Sequence, residues 1–248
     1  MPPGPPTIAC WDDIFTPAAI RPGRNDPIKP LGIFITLEGI EGSGKTTQVP
    51  EVVEFIESHG RSCVITREPG GTVIGQAIRK ILLSPQSRGM DPTAELLLYA
   101  ADRAQHVAET IRPALKGGKV VICDRYYDAT LAYQGFARGL DLNLIHTLHA
   151  TVLGNLLPDL TLLLDLPPRI GLSRAWSQID SGGRDRQETR FEEERLDFHR
   201  KVRAGYLELA RQAPGRFCVV DAARSFSEVR DQICKAVGEL LASTSLAS

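Results

Sequence analysis

The sequence predicts an α/β protein with a five-stranded parallel sheet and helices on both faces. Three observations predict it. Five short apolar runs lack polar/apolar alternation, as strands covered on both faces should. Helical patterns separate them, so the strands are joined by crossovers and lie parallel. A glycine-rich turn links the first strand to the first helix, where open α/β sheets bind ligands. The length of 248 residues suits one such domain.

Residues 1–30 stand outside this pattern. Pro2, Pro3, Pro5, Pro6, Pro17, Pro22, Pro27 and Pro30 interrupt any helix or strand. The segment reads as a disordered or extended leader, although Trp11, Ile14 and Phe15 could dock on a surface. Residues 31–248 read as a single domain. Its strands are expected at Ile33–Leu37, Ser62–Thr66, Val120–Cys123, Leu160–Leu164 and Phe217–Val220. Val73, Ile74, Ala77, Ile78, Ile81 and Leu82 form an apolar stripe at helical spacing. Asp91-Pro92 opens the next helix as N-cap and first residue. Ser225 and Glu228 read as a capping box before Val229, Ile233, Val237 and Leu240.

Composition bounds the function. Apolar residues make up 42% and charged residues 24%, and the net charge is −1. That balance excludes a wholly disordered chain and lacks the basic excess of a non-specific nucleic-acid binder. No apolar run is long enough to cross a bilayer, and no secretory signal is expected at the N-terminus. Cys10, Cys63, Cys123, Cys218 and Cys234 include no C-x-x-C pair, so a reducing, cytoplasmic compartment is expected.

The segment Gly39-Ile40-Glu41-Gly42-Ser43-Gly44-Lys45-Thr46-Thr47 fits G-x-x-x-x-G-K-[ST] between a strand and a helix. Its glycines let backbone N–H groups converge on phosphate oxygens at a helix N-terminus. Lys45 would reach the β- and γ-phosphates, and the Thr46 hydroxyl would bind Mg²⁺. Pro50 falls in the second turn of the helix and predicts a kink there.

Such a loop serves GTPases, motor ATPases and small-molecule kinases alike. A guanine-reading N-K-x-D is absent, because Asn25, Asn143 and Asn155 all lack a following Lys. Val120-Val-Ile-Cys-Asp124 reads as a Walker B strand whose acid helps hold Mg²⁺. Arg125 follows at the active edge of the sheet. Thr66-Arg67-Glu68-Pro69-Gly70-Gly71 follows the second strand and aims Arg67 at the same edge, where a guanidinium suits phosphate. Taken alone, that turn reads better as an ordinary strand-to-helix connection, whereas Arg125 reads as functional rather than as a surface ion pair because an Asp-Arg pair stands at the active edge.

Together these motifs resemble bacterial thymidylate kinases, members of the P-loop nucleoside monophosphate kinases. The resemblance rests on the phosphate loop, T-R-E-P-G-G and D-R-Y. It also rests on Leu96-Leu-Leu-Tyr-Ala-Ala-Asp-Arg103, Ala132-Tyr-Gln-Gly135, Pro158-Asp-Leu-Thr-Leu-Leu-Leu-Asp165 and the stretch Phe198–Leu209. It spans about residues 31–243. It implies a three-layer P-loop kinase fold with a short lid, ATP and Mg²⁺, dTMP as acceptor, dTDP and ADP as products in dTTP biosynthesis, and a homodimer. No nucleic-acid or membrane partner is expected.

The resemblance also implies site roles. Tyr99 takes the place of an aromatic that stacks on thymine; one helical turn on, Arg103 donates to a thymine carbonyl oxygen. Thr130 and Gln134 line the base and deoxyribose pocket. Tyr133 crowds the sugar 2′ position, and Glu41 accepts from the 3′-OH. Arg67, Arg79 and Arg125 match the clamp on the acceptor phosphate, with Pro69 among the substrate-binding positions. The lid corresponds to about residues 177–194. Because Glu41 rather than Arg precedes Gly42, a lid arginine would supply transition-state charge, and Arg184, Arg186 and Arg190 are the candidates. Two other readings remain open: a P-loop kinase for another nucleoside monophosphate, and a weakly catalytic P-loop regulatory protein.

Overall fold

The structure, a computed structural model, describes residues 32–154, 156–183 and 185–245. The leader and Arg184 lie outside the described residues. The five strands are β1 (Ile33–Glu38), β2 (Cys63–Arg67), β3 (Val120–Asp124), β4 (Leu160–Asp165) and β5 (Phe217–Asp221). All pairings are parallel, in the order β2-β3-β1-β4-β5. The register places Leu37 beside Asp124 and Asp124 beside Arg67, so three carboxyl ends meet along one edge. The central strands are mostly apolar and buried, with Ile35, Leu37, Val121, Ile122, Leu162 and Leu164 inside the sheet; the buried polar residues Thr36 and Thr161 pair hydroxyl to hydroxyl across β1 and β4 at 3.0 Å.

Crossovers supply both outer layers. Helix α1 (Lys45–Ser58) follows β1, and α2 (Val73–Leu83) follows β2. Next come α3 (Pro92–His106), a π-helical stretch at Val107–Ile111 and α4 (Arg112–Lys116). After β3 lie α5 (Tyr127–Thr130), a π-helical stretch at Leu131–Ala137 and α6 (Leu142–Leu153). Helix α7 (Pro168–Asp180) follows β4, α8 (Leu196–Gln212) precedes β5, and α9 (Phe226–Ser245) closes the chain. The two expected N-termini form as read. Asp91 accepts from the N–H groups of Thr93 and Ala94. The Ser225 N–H and hydroxyl both donate to Glu228.

One expectation, cover on both faces of every strand, needs correction, and two others gain detail. Helix α1 runs unbroken through Pro50, where a kink was expected. Pro50 and Thr46 are both exposed, so solvent reaches the carbonyl that proline leaves without a donor. Strand β2 is not covered on both faces, because it is an edge strand and Ile65 is 57% exposed. The apolar stripe of α2 is also mostly open: Val73, Ile74 and Ile81 are 82%, 54% and 50% exposed. The buried side of α2 carries Gly75 and, from the stripe, Leu82, and the helix packs on α3. There Gly75 comes so close that an added Cβ would lie 2.4 Å from Asp102 Oδ1. Leu97 of α3 is open as well, at 51%.

Candidate active site

The carboxyl edge of the sheet opens into a cavity of about 570 Å³ lined by the phosphate loop and the arginines that follow β2 and β3. The loop is held close to α7. An added Cβ on Gly42 would stand 2.0 Å from the Gly171 carbonyl, and the Gly42 φ of 68° is itself a glycine conformation. Lys45 folds back into the loop, donating to the carbonyls of Gly39 and Ile40 at 3.0 Å each and to Ser43 Oγ at 3.3 Å. Burial and the nearby Arg125 charge push its pKa down to about 8, against the opposing pull of Asp124, Glu41 and Glu38.

Thr46 and Asp124 meet as the two motifs require. The Thr46 hydroxyl donates to Asp124 Oδ2 at 3.2 Å. The other carboxylate oxygen, Oδ1, is buried without a hydrogen-bond partner. Hard oxygens with an unspent acceptor suit Mg²⁺, which needs few protein ligands when phosphates and water complete its shell.

Arg125 occupies the centre. Its Nη1 donates to the Gly39 carbonyl at 2.9 Å and to Tyr206 Oη at 3.3 Å. Its Nη2 donates to Glu41 Oε1 at 3.0 Å. The guanidinium lies 5.0 Å from the centre of the Tyr133 ring. Its backbone φ is +68°, the one positive value among the described non-glycine residues. Glu41 also accepts from Tyr133 Oη at 2.6 Å. Burial alone would raise the Glu41 pKa, but Arg125, His199 and Tyr133 outweigh it and hold the carboxyl well below its usual range.

The far end of the cavity is built on α3 and on the helical turns after β3. Tyr99 and Arg103 of α3 both line it, as do Thr130, Tyr133 and Gln134. The Thr130 hydroxyl is buried without a partner. Arg103 is less free than its sequence reading assumed. Its Nε donates to Glu68 Oε2 at 2.7 Å, and its Nη2 to the Tyr126 carbonyl at 3.0 Å. His106 Nδ1 sits 2.8 Å from the other Glu68 oxygen, and His106 Nε2 sits 2.6 Å from Thr66 Oγ1. Glu68 is therefore the anchor that aims Arg103, a role its place in T-R-E-P-G-G did not disclose. Gln134 is similarly tied, its amide donating to Glu95 at 2.7 Å.

The acceptor arginines differ in company. Arg67 stands exposed at the cavity edge. Arg79 donates to both carboxylate oxygens of Glu188, at 2.9 and 2.6 Å, and to the Pro69 carbonyl at 3.0 Å. Among the lid candidates, Arg186 is exposed on Asp180 at 3.1 Å. Arg190 is not a free lid cation in this arrangement. It is buried, bound to Glu95 and to the Leu82 carbonyl, and its Nε has no partner. Arg190→Ala should therefore act on stability, leaving Glu95 with Arg138 and Gln134 at a cost of about 3 kcal/mol in urea unfolding. Wild-type unfolding with a kcat lowered by orders of magnitude would restore Arg190 to the lid role.

A phosphate loop and an acceptor-sized pocket sharing one cavity define a P-loop nucleotide kinase. Within that class the chain belongs to the thymidylate kinase family, whose family model, described as "Thymidylate kinase", matches residues 37–233. It is 55% identical over 205 residues to the thymidylate kinase of Desulfosudis oleivorans, covering 83% of this chain and 96% of that one. It is 58% identical over 203 residues to that of Syntrophotalea carbinolica, covering 82% and 94%. The crystal structure of thymidylate kinase from Ehrlichia chaffeensis matches with a TM-score of 0.65 at 33% identity, over 83% of this chain and 98% of that one. The protein is thus an ATP-dependent nucleotide kinase.

Proposed function

We propose that the protein transfers the γ-phosphoryl group of ATP to dTMP, giving dTDP and ADP. The observation that carries this reading is one continuous cavity. Lys45 of the phosphate loop, Arg125, Tyr99 and Arg103 all line it. Tyr99 offers a ring face, and Arg103 has donors only, so the two suit a base that presents a carbonyl oxygen.

An acceptor phosphate oxygen already ionised near neutral pH attacks the γ-phosphorus as the bond to the β-phosphate oxygen breaks. No strong general base is needed, so catalysis rests on positioning and charge neutralisation. The loop N–H groups and Lys45 hold the β- and γ-phosphates. Arg125, Arg67 and Arg79 hold the acceptor phosphate, and Arg79 leaves Glu188 to do so. Thr46 and Asp124 would hold Mg²⁺, which supplies positive charge to the phosphate oxygens when bound. Residues 177–194 close over the site as the lid of the single domain formed by residues 31–248 and exclude water. Arg186, and Arg184 outside the described residues, are the lid cations for the transferred group.

The test is kcat/KM for dTMP, dUMP, dCMP, AMP and GMP with ATP. dTMP should be best. dUMP should be weaker by the worth of one methyl group, about 1–3 kcal/mol. The other three should stay near background. Equal turnover of AMP or dCMP would overturn the assignment.

The open apolar face of α2 supports a homodimer. Ile74 and Ile81 lie seven residues apart on one side of that helix, and Leu97 is exposed on the helix packed against it. Ile74→Lys with Ile81→Lys should convert a dimer to a monomer in sedimentation; a monomeric wild type would refute the dimer. No helix among the described residues is long and apolar enough to cross a membrane.

A further inference from the structure

We propose that His199 is a positioning residue for the acceptor: from behind Glu41 it fixes the carboxylate that accepts the acceptor's sugar hydroxyl. This rests on the dTMP reading of the site.

The two oxygens of Glu41 have different surroundings. Oε1 accepts from Tyr133 Oη and Arg125 Nη2, the two groups that line the cavity. Oε2 is buried without an aligned hydrogen bond, and the nearest charged partner is His199 Nδ1 at 3.1 Å. His199 comes from α8, far from the loop in sequence, and its side chain is fully buried. Neither ring nitrogen makes an aligned hydrogen bond. A histidine in that state is costly unless it serves a charge.

The groups facing it supply one. Burial lowers the imidazole pKa, but Glu41, the Phe191 carbonyl and Glu192 together raise it above the ordinary value. Through Glu41 the ring also faces Arg125 and Tyr133. The Phe198 ring also lies close, its centre 5.5 Å away. Packing alone would be met by a phenylalanine at this position. Only a polar ring keeps a buried anionic oxygen from turning away or taking up a proton. The carboxylate is then held with its cavity side ready for one more donor. A 2′-deoxynucleoside 5′-monophosphate has a single free sugar hydroxyl, the 3′-OH, to offer.

The experiment compares dTMP with 3′-deoxythymidine 5′-monophosphate in the wild type, His199→Phe and His199→Asn, at saturating ATP. The wild type should favour dTMP. His199→Phe should lower kcat/KM for dTMP roughly tenfold, mainly through KM, and leave the 3′-deoxy acceptor within about twofold of wild type. Asparagine can place its amide near the position of Nδ1, so His199→Asn should recover most of the loss. A loss equal for both acceptors, no loss with dTMP, or an Asn variant no better than Phe would overturn the proposal. If His199→Phe does not fold, His199→Gln replaces it, because its longer amide reaches the Nε2 position. Asn better than Gln on dTMP alone then supports the proposal, and equal behaviour overturns it. Failure of the dTMP reading shows separately, as a wild type inactive on dTMP.

Discussion

Lys45→Ala is expected to fold and to lose about three orders of magnitude or more in phosphoryl transfer. The lysine is buried in the phosphate loop, yet its three acceptors are two loop carbonyls and the Ser43 hydroxyl, and no ion pair is broken by its removal. Burial and the nearby Arg125 push its pKa down to about 8 despite Asp124, Glu41 and Glu38, so the ammonium has a deficit against its lost hydration. That deficit is relieved when phosphates arrive, so the charge serves the ligand more than the fold. Thermal unfolding should shift little while kcat collapses. Near-normal turnover in the variant would remove the P-loop mechanism.

Arg103→Ala should fail in two ways at once. Glu68 would keep only His106 on one oxygen, inside a buried cluster where Asp102 already has its pKa raised to about 6 by burial and by Glu68. Breaking such a pair costs about 3–5 kcal/mol, so unfolding should move to much lower urea. Specificity is isolated better by Arg103→Lys, which keeps the charge beside Glu68 and loses the planar fork. In that variant kcat/KM for dTMP should fall about 100-fold, with the preference over dCMP shrinking, because the donors are no longer aimed at a carbonyl oxygen. An unchanged preference would place base selection elsewhere in the pocket, with Thr130 the first alternative.

The parts of the site that sequence disclosed are local. Gly39–Thr46, Arg67, Asp124 and Arg125 each adjoin the carboxyl end of a strand, so recognising the strand also located the residue. All five strands and two helix caps were legible for the same reason, since each depends on neighbours a few residues away. Pairings between distant segments were not. Arg79 meets Glu188 across 109 residues, Arg190 meets Glu95 across 95, and Arg103 meets Glu68 across 35. Each gives an arginine a carboxylate partner that its sequence reading did not include. A guanidinium looks the same in sequence whether it awaits a phosphate or already holds a carboxylate. The helix carrying the α2 stripe was legible, but its exposure was not, because helical periodicity reports an apolar face without saying whether the same chain covers it.

The backbone of Arg125 divides what is good for the fold from what is good for the reaction. A φ of +68° on a branched-free but bulky side chain costs about 1–2 kcal/mol relative to glycine. The surrounding bonds hold it there: its N–H donates to the Leu37 carbonyl at 3.0 Å and its guanidinium reaches three acceptors. A directed search for thermostable variants, scored on melting alone, would be drawn to glycine or asparagine at this position, which relax the main chain. Those same variants would empty the centre of the acceptor site. Residue 125 therefore belongs on the list of positions to freeze in any stabilisation campaign, and its tolerance should track selection for activity rather than selection for heat resistance.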